Sequence, residues 1–246
     1  MKFFKILSFI LITTNYCHSD DMLAGHHQLL IVTTNNWDEE QGEIQFYERT
    51  NDDSIWTRIG TPMPVVLGKR GLAWGIGLHP TTIEMSLKKM EGDAKSPAGI
   101  FSLGSAFGFA TNSKMNHLKI EYLHLDEFIE AVDDQLSYHY NHTVNNKEIT
   151  IDWHSSEKMS KEPLYAIGLV INHNFPNPKA GMGSAIFFHI WEQEHFGTKG
   201  CTAMSRENLT TILSWLKRDK NPALVQLPLF KYNELQNDWS LPILNY

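Results

Sequence analysis

The chain has 246 residues, 42% hydrophobic and 20% charged, an ordinary composition for one sizeable globular domain. Its 28 acidic residues against 21 basic ones give a formal charge of −7, which excludes an electrostatic footprint for nucleic acid or anionic lipid. Thirteen Phe, eight Tyr and seven Trp can fill a core, and Gly and Pro fall mostly between apolar runs, as in a strand-rich fold with many turns.

Lys2 and Lys5 precede an apolar run, Ile6 to Thr14, followed by Asn15-Tyr16-Cys17-His18-Ser19. A basic start, a short apolar stretch and small residues predict a secretory signal over 1–19, cleaved after Ser19. The run is too short to span a bilayer, so no stable membrane insertion is expected after cleavage. Acylation of Cys17 is the other processing open to this segment, although Thr14-Asn15-Tyr16 is not the usual aliphatic-small-small set. Loss of Lys2 and Lys5 takes the charge from −7 to −9. Loss of Cys17 leaves Cys201 as one thiol in an oxidising compartment, without a disulfide partner.

The rest, 20–246, reads as one domain with a short polar C-terminal tail from Asn233. Gln28–Thr34 predicts the first strand, and Glu43–Glu48 with Ile55–Ile59 a hairpin. Pro64–Leu67 predicts a short strand, and glycine-rich Gly71–Gly77 a loop that lacks the GK[ST] of a phosphate loop. Ser96–Phe101 is a turn feeding a strand, Leu118–Ala131 fits helix or strand, and Glu148–Trp153 is a strand candidate. Leu164–Asn172 and Ala185–Ile190 predict buried strands flanking a loop, Phe175–Ser184. Ser205 to about Arg218 is the clearest helix: Ser205 caps it, Glu207 lies in its first turn, and Leu209, Ile212, Leu213 and Leu216 make one apolar face. Ala223–Leu227 predicts the last strand. The fold class is therefore mainly β (α+β), with a helix following Cys201.

His189 ends an apolar strand, and Cys201 follows twelve residues later in Thr198-Lys199-Gly200-Cys201-Thr202. A thiol must ionise to attack a carbonyl, and an imidazole can take its proton. The helix from Ser205 is expected to bring its positive end near the thiol. Gly200 leaves room for a substrate carbonyl to approach backbone N–H groups, so Thr198, Gly200 and Thr202 are the oxyanion candidates. Against this stands the ordinary lot of a lone Cys, a small buried hydrophobe, and of a strand His, a satisfied core residue. Lys199, His173, Trp74 and Tyr140 are candidates for lining a cleft, although core packing is the default for Trp74 and Tyr140, as for Trp153 and Tyr138. No HExxH or Cys/His pairing signals zinc, and His154-Ser155-Ser156 lacks the Gly-x-Ser-x-Gly elbow of a serine hydrolase. Asp133-Asp134 reads as solvated charge.

These residues resemble a known family. Phe187-Phe188-His189 with Thr198-Lys199-Gly200-Cys201 is similar to the active-site signature of L,D-transpeptidases of the YkuD type. Gly92-Asp93-Ala94-Lys95-Ser96-Pro97-Ala98-Gly99-Ile100-Phe101 is similar to that family's Gly-Asp-x-x-[ST]-Pro-x-Gly-x-Phe turn. Gly71–Gly75, Val132-Asp133-Asp134, Tyr140-Asn141, Ser155–Met159 and Gly183–Phe187 extend the resemblance over about residues 65 to 228. It implies a β-rich catalytic domain, a periplasmic or cell-wall location, no metal or organic cofactor, and peptidoglycan stem peptides as partners. It further implies that Cys201 attacks the carbonyl preceding a terminal D-alanine, with His189 as base and then acid. Ile190 and Ala203 stand where better-studied members carry Gly and Arg, which leaves the nucleophile intact and the substrate less determined. The rival expectations are an L,D-carboxypeptidase or amidase with the same Cys–His pair, and a non-catalytic wall-binding module.

Overall fold

The structure, a computed structural model, describes residues 22–80 and 87–244; the expected signal segment 1–19, with Cys17, lies outside them. In chain order the elements are β1 (Gln28–Thr34), β2 (Gln41–Glu48), β3 (Thr57–Val66), β4 (Leu72–Trp74), β5 (Ser96–Gly108), α1 (Asn112–Met115), β6 (Tyr122–His124) and β7 (Ile129–Val132). They continue with β8 (Thr143–Asn145), β9 (Ser156–Lys158), β10 (Ile167–Ile171), β11 (Phe187–Ile190), β12 (Thr202–Met204), α2 (Arg206–Trp215), β13 (Ala223–Pro228) and α3 (Leu229–Leu235). The protein is mostly β with few helices, as its sequence predicts.

Strands follow the order β10-β11-β12-β3-β2-β1-β13-β5, and β5 pairs again with β10, so the sheet closes in a barrel-like ring. The length of β5 makes this possible: its residues 99–102 pair with β13, and 103–108 with β10. β4 and β6 attach to β5 outside the ring. Leu29, Leu30, Ile31, Ile100, Phe101, Leu224 and Val225 fill the interior, joined by the predicted face of α2, Leu209, Ile212 and Leu213. Burial of that face, at about 2 kcal/mol for each such side chain, holds α2 far more firmly than helix propensity does. A separate three-stranded sheet, β8-β7-β9, packs beside the ring.

Several expectations are corrected. Pro64–Leu67 is not a separate strand but the end of β3, whose prolines are tolerated because only Val66 pairs on its second edge. Gly71–Gly77 is not all loop: Leu72–Trp74 forms β4, parallel to β5. Leu118–Ala131 is extended, yielding β6 and β7. Glu148–Trp153 forms no strand, since β8 and β9 already occupy both edges of β7. Instead Trp153 turns inward to donate to Glu130 while Ile151 stays exposed. The C-terminal segment is no free polar tail: α3 forms, Trp239 and Leu241 join the core, and the buried Tyr232 hydroxyl donates to the Pro242 carbonyl at 2.8 Å. Its apolar anchors are too sparse for a sequence period.

Candidate active site

β11 and β12 run parallel, with Phe188 opposite Thr202, His189 opposite Ala203 and Ile190 opposite Met204. Side chains alternate across a strand, so Phe188, Thr202 and Met204 face one way and Phe187, His189, Cys201 and Ala203 the other. Burial follows this division: Phe188 and Met204 belong to the barrel core, while Phe187 and Cys201 belong to a second cluster with Phe107, Leu125, Ile129, Ala131, Met159 and Tyr165. That cluster fills the seam between the barrel and the small sheet. The two expected reactive residues are thus brought to one face of neighbouring strands, two register positions apart. With β spacings their Cα atoms lie roughly 8 Å apart.

The turn that carries Cys201 is held by short side chains. The Cys201 carbonyl accepts from Thr198 Oγ1 at 2.6 Å and from Ser96 Oγ at 2.8 Å. Ser96 also accepts from the Gly68 N–H at 2.8 Å. A hydroxyl is needed at both positions, and the Ser-Pro-x-Gly segment, expected as a turn but forming the start of β5, supplies one of them. Within it Gly99 is obligatory, because a Cβ there would fall 1.9 Å from the His79 ring. Of the oxyanion candidates, the Gly200 N–H is engaged by Thr198 Oγ1 at 3.0 Å, and Thr202 points away, donating its buried hydroxyl to Gln226 at 2.7 Å. Thr198 and Thr202 therefore act in the architecture, and the Gly200 N–H is already spent on Thr198 Oγ1.

Cys201 is 8% exposed. Its thiol donates to the Ala185 carbonyl at 3.4 Å, and its sulfur accepts from the Phe187 N–H at 3.4 Å. Burial pushes the thiol up to about 12, the Glu157 carboxylate adds to this, and the Phe187 N–H and the Lys89 ammonium oppose it. His189 is 7% exposed, and burial lowers its pKa against the Ile190 hydrogen bond and the Glu162 charge. The site therefore rests as neutral thiol and neutral imidazole. His189 Nδ1 lies 2.8 Å from the Ile190 carbonyl, which can only accept. That bond places the ring proton on Nδ1 and leaves Nε2 as a bare acceptor, the form a general base requires. The imidazole and thiol are not hydrogen-bonded to each other in this state. The helix dipole makes no contribution either: β12 separates Cys201 from α2 by roughly 13 Å of extended chain, beyond the reach of a helix terminus.

The remaining expected residues divide. Lys199 is exposed near the site, where its charge acts on Glu157. His173 is 1% exposed and has both nitrogens engaged: Nδ1 accepts from the Ile76 N–H at 3.2 Å and Nε2 lies 2.9 Å from the Met182 carbonyl. Trp74 packs in the core against Trp37, His79 and Trp239. Tyr140 is buried and donates to Glu91 at 2.6 Å, so neither aromatic faces a substrate. Asp133 and Asp134 are not simply solvated. Asp134 accepts from the His154 and Leu136 N–H groups, and Asp133 Oδ1 is buried without a hydrogen-bond partner. Ala203, fully buried opposite His189, leaves that space to the apolar cluster.

Four residues that the sequence reading did not single out as site candidates surround Cys201. Asn141 accepts from the Ala185 N–H at 3.1 Å and donates to the His173 and Asn174 carbonyls, fixing the segment whose carbonyl accepts the thiol's hydrogen bond. Glu157 and Tyr165 sit beside the thiol, the phenol donating to the carboxylate at 2.5 Å. The alternation of β9 explains Glu157: Ser156 and Lys158 face Glu130, and Glu157 and Met159 face the apolar cluster. Burial alone would raise Glu130, but Lys158, Ser156, Asn146 and Trp153 together bring it down to about 2. Lys89 places a buried ammonium 3.8 Å from where a Gly200 Cβ would lie, with Asp93 and the Met90 carbonyl as partners at 2.6 and 2.7 Å.

A cleft of about 530 Å³ runs between β5, β10 and the small sheet, and includes His173 in its wall. Ala131, Val170, Ala185 and Phe187 line it and also belong to the apolar shell around Cys201. Part of its wall is thus shared with the packing shell of Cys201, although neither Cys201 nor His189 lines the cleft itself, and Ser105, Asn141, Thr143 and Asn172 give it polar groups for a peptide backbone. Among the described residues, no group of three or more His, Cys, Asp or Glu could hold a metal ion. None of their helices is long and apolar enough to cross a membrane.

Compared with protein-family models, with curated proteins and with solved structures, the chain has no match.

Proposed function

We propose that the protein is a cysteine-dependent L,D-transpeptidase acting on peptidoglycan stem peptides, a YkuD-like enzyme exported from the cell. The observation that carries this reading is the convergence of Cys201 and His189 on one face of adjacent strands, with Nδ1 tied to a backbone carbonyl and Nε2 bare. The cleft against the Cys201 shell supports a peptide substrate. The Ser96 and Thr198 hydroxyls on the Cys201 carbonyl give the resemblance a physical rationale.

In this mechanism, closure of substrate over the cleft brings thiol and imidazole together. Nε2 takes the thiol proton, and sulfur attacks the carbonyl carbon of the donor peptide. The Cys201 N–H is the turn's donor toward the developing oxyanion. The C–N bond breaks as the imidazolium protonates the departing amine, leaving a thioester. An acceptor amine then attacks, losing its proton to Nε2, and the thiol returns to its resting form. Water in place of the amine makes the same site a carboxypeptidase.

The test is incubation of purified protein with defined tetrapeptide muropeptides, wild type beside Cys201→Ala, read by mass spectrometry. Cys201-dependent cross-linked dimers are expected. Trimmed monomers alone would replace transferase by hydrolase, and absence of any Cys201-dependent product across several stem lengths would overturn the reading.

A further inference from the structure

The imidazole of His189 has one polar bond, from Nδ1 to the carbonyl of the next residue. One bond at one corner fixes the tautomer but lets the ring pivot about it, so the direction of Nε2 must be set by packing. Tyr165 supplies that packing. Its ring meets His189 edge to face, with centroids 5.5 Å apart and an interplanar angle of 65°. It meets Phe107 and Phe187 in the same way at 5.7 and 5.5 Å, so the ring is clamped on two further sides. The Tyr165 N–H closes the preceding turn on the Glu162 carbonyl at 2.9 Å.

A Phe would provide these ring contacts without a buried hydroxyl to satisfy. Here the hydroxyl is present and binds Glu157, whose carboxylate faces the thiol from β9. We propose that Tyr165 is the positioning residue of this site, its ring aiming the His189 imidazole and its hydroxyl tethering the Glu157 carboxylate beside Cys201. The proposal rests on the Cys201–His189 reading above. The other charges facing this group are Glu162 from the turn before Tyr165, Asp133 from the end of β7, Lys199 from the nucleophile's turn, and Lys89 behind Gly200. Tyr165 is the residue among them that touches both His189 and the carboxylate.

The experiment is the rate of Cys201 alkylation by iodoacetamide from pH 5 to 12, a range that takes in the titration of a thiol pushed up to about 12, followed by intact mass. It is run on wild type, His189→Asn, Tyr165→Phe, Tyr165→Met and Glu157→Gln, with folding checked by circular dichroism. Tyr165→Met, which keeps the cluster filled, is expected to lose the ring's aim, lowering the His189-dependent rate at least about tenfold. Tyr165→Phe keeps the ring and frees the carboxylate, so the apparent pKa of alkylation moves up. Glu157→Gln still accepts the phenol's hydrogen bond but carries no charge, so it moves the pKa down. Loosened packing alone would not shift the two in opposite directions, and Tyr165→Phe with Glu157→Gln keep the test decisive should Tyr165→Met not fold. A wild-type profile in Tyr165→Met, or equal shifts in Tyr165→Phe and Glu157→Gln, overturns the positioning role and leaves the dyad standing. A wild-type rate equal to that of His189→Asn overturns both.

Discussion

Two buried imidazoles lie on either side of the loop between β10 and β11, His173 and His189, and they face opposite fates. Both are almost without solvent contact, and burial lowers both pKa values, that of His173 to about 4. His173 has a partner on each nitrogen and ties the 76 and 182 backbones together. His189 has a partner on Nδ1 alone and sits two register positions from Cys201 across the parallel pair. The comparison shows that burial does not distinguish the two: what does is Nε2, which faces the Met182 carbonyl in His173 and has no hydrogen bond in His189.

The largest effect expected is on chemistry. His189→Asn can keep the bond to the Ile190 carbonyl but has no Nε2, so Cys201 acylation should fall about 10²–10⁴-fold with the fold retained. The rate, measured by stopped assay on folded protein, checks this. His173→Gln should cost far less of that rate, since both its nitrogens are spent on backbone and neither faces the thiol. Equal losses in the two variants would break the comparison.

Next comes stability against pH. An ordinary histidine protonates near 6.5 when unfolded, whereas folded His173 resists protonation until about 4, because burial and then the nearby Lys89 charge disfavour the cation. The unfolded state therefore binds the proton first as pH falls. The stability that neutral His173 contributes is whole above 6.5 and declines by about 3 kcal/mol on the way to 4. His173→Gln should flatten this part of a urea-melt series. An unchanged slope would contradict the burial argument. Glu130 acts in a lower window: its folded value near 2 means that its contribution, present above 4.5, disappears as pH falls toward 2.

The smallest effect sharpens the contrast from outside. Ser205 Oγ accepts from the Asn208 N–H at 3.1 Å, so Ser205→Ala should cost about 1 kcal/mol in a urea melt. Because β12 keeps α2 away from the thiol, it should leave the Cys201 alkylation profile unmoved. A shifted profile would restore a helix-dipole role.

Legibility in the sequence followed the range of the interactions involved. β1 was readable to the residue, and α2 through its cap and apolar face, because period and capping are local properties. Cys201 and His189 were readable as a candidate pair because flanking strand and turn signals are local too. Their actual relation was not, because it depends on the parallel register of β11 and β12. Tyr165 and Glu157 stood inside a recognised stretch or an apolar run and carried no sign of their meeting, which needs the turns after β9 to fold the chain back on it. His173 looked no different from His189, since hydrogen-bond partners at 76 and 182 have no sequence signature.

The central claim, that Cys201 is an acyl-transfer nucleophile, is tested most directly by trapping the thioester. Wild type, His189→Asn and Cys201→Ala are mixed with a defined tetrapeptide muropeptide, quenched in acid within seconds and weighed intact. Wild type should gain the mass of the donor less its departing D-alanine, mapped by peptide digestion to Cys201, with far less in His189→Asn and none in Cys201→Ala. An adduct that persists in Cys201→Ala, or wild type that never carries one while the substrate is consumed, would contradict the account.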